Sequence, residues 1–295
     1  MLKNNLSSQI LPERVVIIGA GGFVGSAITK SFRRRNAQVV ALVRKDIDLL
    51  AENAVEQLKL MLRKNDALVV ISAQAPTKNS AMLIDNLRMM AVVCDALSSN
   101  PVEHVTYISS DAVYADASTP LNETSCAQPT SLHGVMHLAR ETMLADAYKG
   151  SLCILRPTLI YGANDPHNGY GPNRFRRLAH QGEDIILFGE GEERRDHVYI
   201  DDVAEIATKC ICSRSEGVLN IATGELISFW DLAKKVIAIS SKSVEIITTP
   251  RVGLMPHGGY RAFDVALTTQ VFPDFNYTPL DIGLALSQSQ EFHDG

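Results

Sequence analysis

Short, almost continuous apolar runs alternate with longer stretches of helical period through the first half of the chain. Val15–Ile18 is a β-branched run that ends in glycines, and Gly25–Arg35 follows it with a helical pattern. Val39–Val43 reads as a second strand, Ile47–Leu50 as a short third one, and Ala51–Lys64 as a helix with polar interruptions. Ala67–Ser72, Val105–Ser109 and Leu152–Leu155 read as further strands, with helices over Asn79–Ser99 and His133–Tyr148. Steady alternation of strand and helix predicts an α/β fold with a doubly wound parallel sheet. Runs that are apolar on both faces fit strands covered by helices on both sides.

The pattern changes near residue 160. Tyr161–Pro172 is rich in Gly, Asn and Pro and reads as loop, and Asn173 is placed to cap a helix running to Gln181. Ile185–Phe188 is a short strand before the turn Gly189-Glu190-Gly191, and Val198–Cys212 begins as a strand and continues as a helix. Phe229–Ser240 reads as a helix and Val244–Thr248 as a strand, followed by a Gly/Pro-rich loop to Tyr260. These readings divide the chain into 13–160, rejoined by 196–224, and a smaller interleaved C-terminal lobe of 161–195 and 225–290. A ligand is expected in the crevice above the carboxyl ends of the strands.

Composition narrows the class. The 295 residues are 46% hydrophobic and 21% charged, with a formal net charge of -5. That balance argues against a surface built for nucleic acid or an anionic membrane, and the run Arg33-Arg34-Arg35 reads as the solvated end of a helix. Five cysteines without metal-ligand spacing read as free thiols. No apolar run has the length to cross a bilayer, and Met1–Glu13 lacks the pattern of a signal peptide, so a cytoplasmic location is the default expectation.

Gly19, Gly22 and Gly25 are spaced Gly-x-x-Gly-x-x-Gly directly after the first strand, in Gly19-Ala20-Gly21-Gly22-Phe23-Val24-Gly25. Gly19 permits the tight turn off the strand, Gly22 lets backbone N–H groups approach a pyrophosphate, and Gly25 lets the helix pack on the sheet. The helix start, with Phe23 and Val24, then offers partial positive charge to the phosphates of a dinucleotide. The second strand ends at Arg44-Lys45 with no acid at its tip. A cation there can hold a 2′-phosphate, which favours NADP over NAD. Asp46 and Asp48 keep NAD open, as does a simply solvent-facing Arg44. Asp48 and Leu49 are expected near the adenine.

Read with later segments, these glycines resemble the extended short-chain dehydrogenase/reductase family, also called the NAD-dependent epimerase/dehydratase family, whose members have the Rossmann fold and modify nucleotide-sugars. The resemblance runs over about residues 13 to 285. Ile71-Ser72-Ala73-Gln74-Ala75 sits where the family covers its cofactor, and Asn86 where its long helix often has an Asn. Tyr107-Ile108-Ser109-Ser110-Asp111-Ala112-Val113-Tyr114 is similar to its Ser-Ser-x-x-Val-Tyr segment, and Leu155-Arg156-Pro157 to the strand that leads to the nicotinamide. The stretch from Phe188 to Ala204 is the most specific match. By resemblance, Ser110 orients a substrate hydroxyl or carbonyl, and Arg195, Arg261 and Asn173 hold the diphosphate of a nucleotide-sugar. A surface ion pair of Arg195 with Asp196 or Asp201, and a turn-capping role for Ser110, are the plainer alternatives.

The family's acid/base pair is Tyr-x-x-x-Lys, two residues on one helix face. The matching segment here is Ser131-Leu132-His133-Gly134-Val135-Met136-His137-Leu138-Ala139-Arg140-Glu141, with His133 and His137 at the two positions. Two readings stay open. His133 performs the proton transfer itself, since imidazole titrates near neutrality, with His137 positioning the ribose. Alternatively, hydride chemistry is lost and the chain is a silent NAD(P)- or nucleotide-sugar-binding regulatory or scaffold protein. Two adjacent imidazoles disfavour double protonation, so at least one is expected neutral. Asp111 stands where the family's dehydratases carry an acid, but Ala112 follows where they have Glu, which weakens that assignment. His167, His197 and His257 show no metal spacing. The resemblance also implies a homodimer through Asn79–Ser99 and His133–Tyr148.

Overall fold

Alternation of chain direction is absent from the central layer: every strand pair in it is parallel. The computed structural model describes residues 2–292. In chain order the first half comprises β1 (Arg14–Ile18), α1 (Phe23–Arg34), β2 (Val39–Leu42), α2 (Ala54–Met61), β3 (Asp66–Val70), α3 (Ser80–Ser99), β4 (His104–Ile108), α4 (Leu132–Ala147) and β5 (Ser151–Pro157). The second half comprises β6 (Leu159–Tyr161), α5 (Pro172–Gln181), β7 (Ile185–Phe188), β8 (Arg194–Arg195), β9 (His197–Tyr199), α6 (Ile200–Cys212), β10 (Gly217–Ile221), β11 (Ile227–Ser228), α7 (Phe229–Ala238), β12 (Ile246–Thr249), β13 (Tyr260–Arg261), α8 (Ala266–Val271) and α9 (Leu280–Phe292).

The central sheet has the order β10-β5-β4-β3-β1-β2. The expected doubly wound α/β sheet is therefore present. Its two faces follow the period of two along each strand. Val15, Ile17, Val69 and Leu155 face α1 and α6, meeting Ile28, Phe32, Val203 and Ile206. Val16, Ile18, Val70 and Val105 face the other way, onto Leu58, Met90, Val93 and Leu144 of α2, α3 and α4. A separate cluster of Phe175, Ile185, Leu187, Phe229, Leu232 and Leu284 forms the core of the C-terminal elements.

Two expected elements are corrected. Ile47–Leu50 is not a strand: Ile47 and Asp48 are irregular and Leu49 and Leu50 lie in a turn. Asp46 accepts the Val43 N–H (3.0 Å) and Asp48 the Leu50 N–H (3.1 Å), so local carboxylate–backbone bonds replace a ladder. Ile47 and Leu49 are buried all the same. Asn173 is not a helix cap: Gly171 holds that position at φ +122, and Pro172, with no N–H to satisfy, opens α5. Asn79, by contrast, does cap α3, accepting the Met82 N–H at 2.9 Å.

Candidate functional site

β2 and β3 pair with opposite edges of β1, so the winding of the chain reverses there and a crevice opens at the carboxyl ends of β1 and β3. There the molecule holds a cavity of about 760 Å³, within the range of small-molecule and cofactor sites.

Glycine is required where β1 meets the cavity. Gly19 sits at φ +93, and a Cβ there would lie 2.6 Å from the Ser72 backbone nitrogen. A Cβ on Gly25 would lie 2.1 Å from the Gly19 carbonyl oxygen, so α1 is drawn tightly under the turn. Gly22 precedes α1 without a side-chain cap, and no acid stands in the first turn. The free N–H groups of that turn are thus available to an anion. Gly25→Ala is expected to destabilise the protein by about 1–3 kcal/mol through overpacking, measured by urea unfolding; an unchanged midpoint would show that the turn can give way.

Gly19, Gly22, Phe23 and Val24 line the cavity; Gly25 lies beneath it. Arg44, Asp48 and Leu49 line one end, with Arg44 3.3 Å from Asp48 in an exposed pair. Ala73, Gln74 and Pro157 also line it. Buried Asn86 holds the Gln74 segment from below, accepting the Gln74 N–H (2.8 Å) and donating to the Gln74 carbonyl (3.0 Å).

Ser110, His133 and His137 lie on the wall of the same cavity. They are brought there by one close contact: a Cβ on Gly134 would meet the Ala112 carbonyl oxygen at 2.0 Å. The first turn of α4 therefore rests on the short 3-10 turn Asp111–Val113. Ser131 caps α4 by accepting the Gly134 N–H at 3.1 Å. The Ser110 hydroxyl accepts the Ala112 N–H at 3.1 Å, the turn-capping bond anticipated for it, while the residue still faces the cavity. The two imidazoles meet edge to face, ring centres 4.7 Å apart. Burial lowers the pKa of His133 from its ordinary value, with Asp111 opposing. Burial lowers that of His137 much further, aided by His133 and Arg140. His133 Nδ1 is buried with no hydrogen-bond partner among the described residues.

The arginines expected to meet a diphosphate are placed differently from each other. Arg195 lines the cavity and pairs with Glu193 at 3.0 Å, not with Asp196 or Asp201. Asp196 is instead turned to the Thr223 and Gly224 N–H groups (3.1 and 2.7 Å). Arg261 is buried and tied to Asp111 (2.8 Å) and Asp116 (3.1 Å), and it is absent from the cavity wall. Asn173 reaches the wall with its amide already engaged, accepting from Gly162 N–H (3.0 Å) and donating to Asp165 (2.9 Å).

Residues outside the sequence reading also take part. Tyr107 lies below His137, its hydroxyl 2.8 Å from Nδ1. Glu141 receives Arg156 through two bonds (2.9 and 2.6 Å) and the Ser109 hydroxyl at 2.5 Å. Arg156 donates on to the Tyr114 hydroxyl at 2.9 Å. Nothing in the local pattern of β4 marks Tyr107 as more than an apolar strand residue; its partner is 30 positions away. Among the described residues no cluster of three His, Cys, Asp or Glu side chains is placed to hold a metal, and no helix is long and apolar enough to cross a membrane.

The fold and the family are shared with known proteins. The model of the NAD dependent epimerase/dehydratase family matches residues 15–222. The chain is 23% identical to a dTDP-4-dehydro-6-deoxy-D-allose reductase of Streptomyces bikiniensis over 92% of this chain and 93% of that one. In three dimensions it is similar to the UDP-glucose 4-epimerase of Thermus thermophilus in complex with NAD, with TM-score 0.79, 22% identity and coverage of 94% and 98%. It is also similar to a GDP-L-fucose synthetase of Naegleria fowleri bound to NADP, with TM-score 0.81, 17% identity and coverage of 97% and 96%.

Proposed function

The chain belongs to the NAD dependent epimerase/dehydratase family, and from that premise we propose that it binds NAD(P) in the cavity and epimerises or reduces a nucleotide-activated sugar, with His133 as the acid/base. The observation that carries the reading is His133 itself. Its ring stands on the cavity wall within the same lining as Ser110, and burial lowers its pKa, which favours the neutral base.

In this reading the turn after β1 and the start of α1 receive the pyrophosphate, which the glycine cradle fits because side chains there would collide with Ser72 or Gly19. Bound dinucleotide supplies the hydride acceptor or donor. Ser110 orients the sugar hydroxyl or keto oxygen. A ring nitrogen of His133 takes the hydroxyl proton on oxidation and returns it on reduction. Arg195 meets the diphosphate, and Asn173 and Arg261 shape its surroundings through Asp165 and Asp111. A homodimer through α3 and α4 belongs to the same reading, with Ile84 and Val135 exposed on those helices.

Calorimetric titration with NADPH and NADH, followed by a nucleotide-sugar turnover screen, tests this; absence of binding of either cofactor would overturn it. NADP is the preferred cofactor because Arg44 has only an exposed pair with Asp48, which a 2′-phosphate can displace. Arg44→Ala is expected to weaken NADPH binding roughly tenfold, the size of one charge-assisted hydrogen bond, and to leave NADH unchanged. Equal losses for both would assign Arg44 another role. The engagement of Arg261 by two carboxylates favours the second reading, a silent binding protein, whose signature is cofactor binding without turnover of any nucleotide-sugar.

A further inference from the structure

The hydrogen bond between Tyr107 and His137 has a direction that burial decides. Tyr107 is wholly buried, and its hydroxyl makes one hydrogen bond among the described residues, to His137 Nδ1 at 2.8 Å. If Nδ1 carried the proton, it would donate to the phenol oxygen, and the phenol's own proton would be left in the core without an acceptor. A buried orphan donor is costly and rare. With the phenol donating, both atoms are satisfied: Nδ1 offers its lone pair and the ring proton resides on Nε2. Burial also pushes the Tyr107 pKa up to about 12, so the phenol keeps its proton to give.

Charge points the same way. Arg140 is wholly buried one turn after His137, its guanidinium 5.2 Å from the Tyr107 ring centre and bonded to the Ser72 carbonyl at 2.7 Å. A fixed cation there, with His133 on the other side, opposes a second positive charge on His137. Nε2 of His137 takes no hydrogen bond from the described residues, and the residue lines the cavity.

We propose that Tyr107 is a positioning residue that locks His137 as the uncharged Nε2–H tautomer, so that His137 offers the cavity a directed N–H donor for a ribose hydroxyl of the dinucleotide. The ribose contact rests on the proposed function; the tautomer does not. Where the resembled family has a lysine ammonium, with three donors and a charge, this device offers one donor whose direction is set from the strand below. A fixed cation, Arg140, stands one turn on, held by the Ser72 carbonyl.

The test is long-range ¹H–¹⁵N NMR of protein with ¹⁵N-labelled histidine, at neutral pH, with and without Tyr107→Phe. The expected wild-type spectrum shows His137 with Nδ1 bare and Nε2 protonated. In Tyr107→Phe the Nδ1–H form should gain population, and NADPH should bind about threefold to tenfold more weakly, the loss expected for one oriented hydrogen bond. His137→Gln, which keeps an N–H donor, should retain more affinity than His137→Leu. A wild-type His137 that is cationic or Nδ1-protonated overturns the proposal, as does a Tyr107→Phe variant with unchanged tautomer or unchanged affinity. If wild-type protein binds neither NADPH nor NADH, the proposed function fails, while the tautomer lock is still decided by the spectrum alone.

Discussion

His133→Phe is expected to lower kcat by about 10²- to 10⁴-fold, the usual contribution of one general acid/base, while changing the dissociation constant of the cofactor by less than about twofold. Phe keeps a flat aromatic ring on the cavity wall, somewhat larger than imidazole, but cannot take or give a proton. The ring it replaces has no hydrogen bond at Nδ1 to lose among the described residues. Steady-state kinetics on the substrate found by screening, with cofactor titration alongside, separates the two effects. Survival of kcat would remove His133 from the chemistry. The pH profile carries a sign as well. Burial lowers the His133 pKa, so the free base persists below its ordinary titration range. In the direction that removes a proton from substrate, activity should persist below about pH 6.5, the ordinary imidazole midpoint, and fall only on further acidification. In the opposite direction activity should decline as pH rises, because the proton donor is depleted.

Glu141→Ala is expected to cost about 3–5 kcal/mol of stability, because it strands a buried guanidinium. Arg156 and Glu141 share two hydrogen bonds with both side chains nearly inaccessible, and Glu141 also holds Ser109. At roughly 2–4 °C per kcal/mol, the melting temperature should drop by about 10 °C, read by calorimetry. A drop of less than about 3 °C would mean that water or a neighbour takes the place of the carboxylate. The double change Glu141→Leu with Arg156→Met sharpens the point: removing both charges should cost much less than removing one. The network lies directly under the site, since Ser109 precedes Ser110 and Glu141 is one turn beyond His137. The singly changed protein should therefore lose activity at temperatures where it is still largely folded.

Much of this was legible in the chain. The glycine run announced its own geometry, because only glycine tolerates φ +93 at position 19 and a helix backbone against the Gly19 carbonyl. The strand runs are short and apolar on both faces, which is how a covered parallel sheet reads. Ile47–Leu50 misled because its apolar residues are truly buried, yet the aspartates between them bind backbone N–H groups and curl the chain. Asn173 misled because an Asn at a helix start usually caps, whereas here Pro172 fixes the helix one residue earlier and frees the amide for Gly162 and Asp165. Arg195 does stand on the cavity, but its partner Glu193 lies on the opposite side in sequence from Asp196. The Tyr107–His137 bond and the Asp111–Arg261 tie were not legible at all, since each joins residues by tertiary distance alone and neither has a local spacing.

The position of β10 has a consequence for how the molecule is made. The strand at the edge of the sheet beside β5 is the last of the six to be synthesised, and roughly sixty residues separate the two. Until that strand emerges, β5 presents a bare row of N–H and C=O groups on a largely apolar strand, which is a template for pairing with another nascent chain. A fragment ending near residue 160 carries every glycine of the turn after β1 together with His133 and His137, yet it would leave the ribosome with that seam open. Its fate in a cell should be inclusion bodies, and co-expression of the remaining residues should return it to solution by closing the seam.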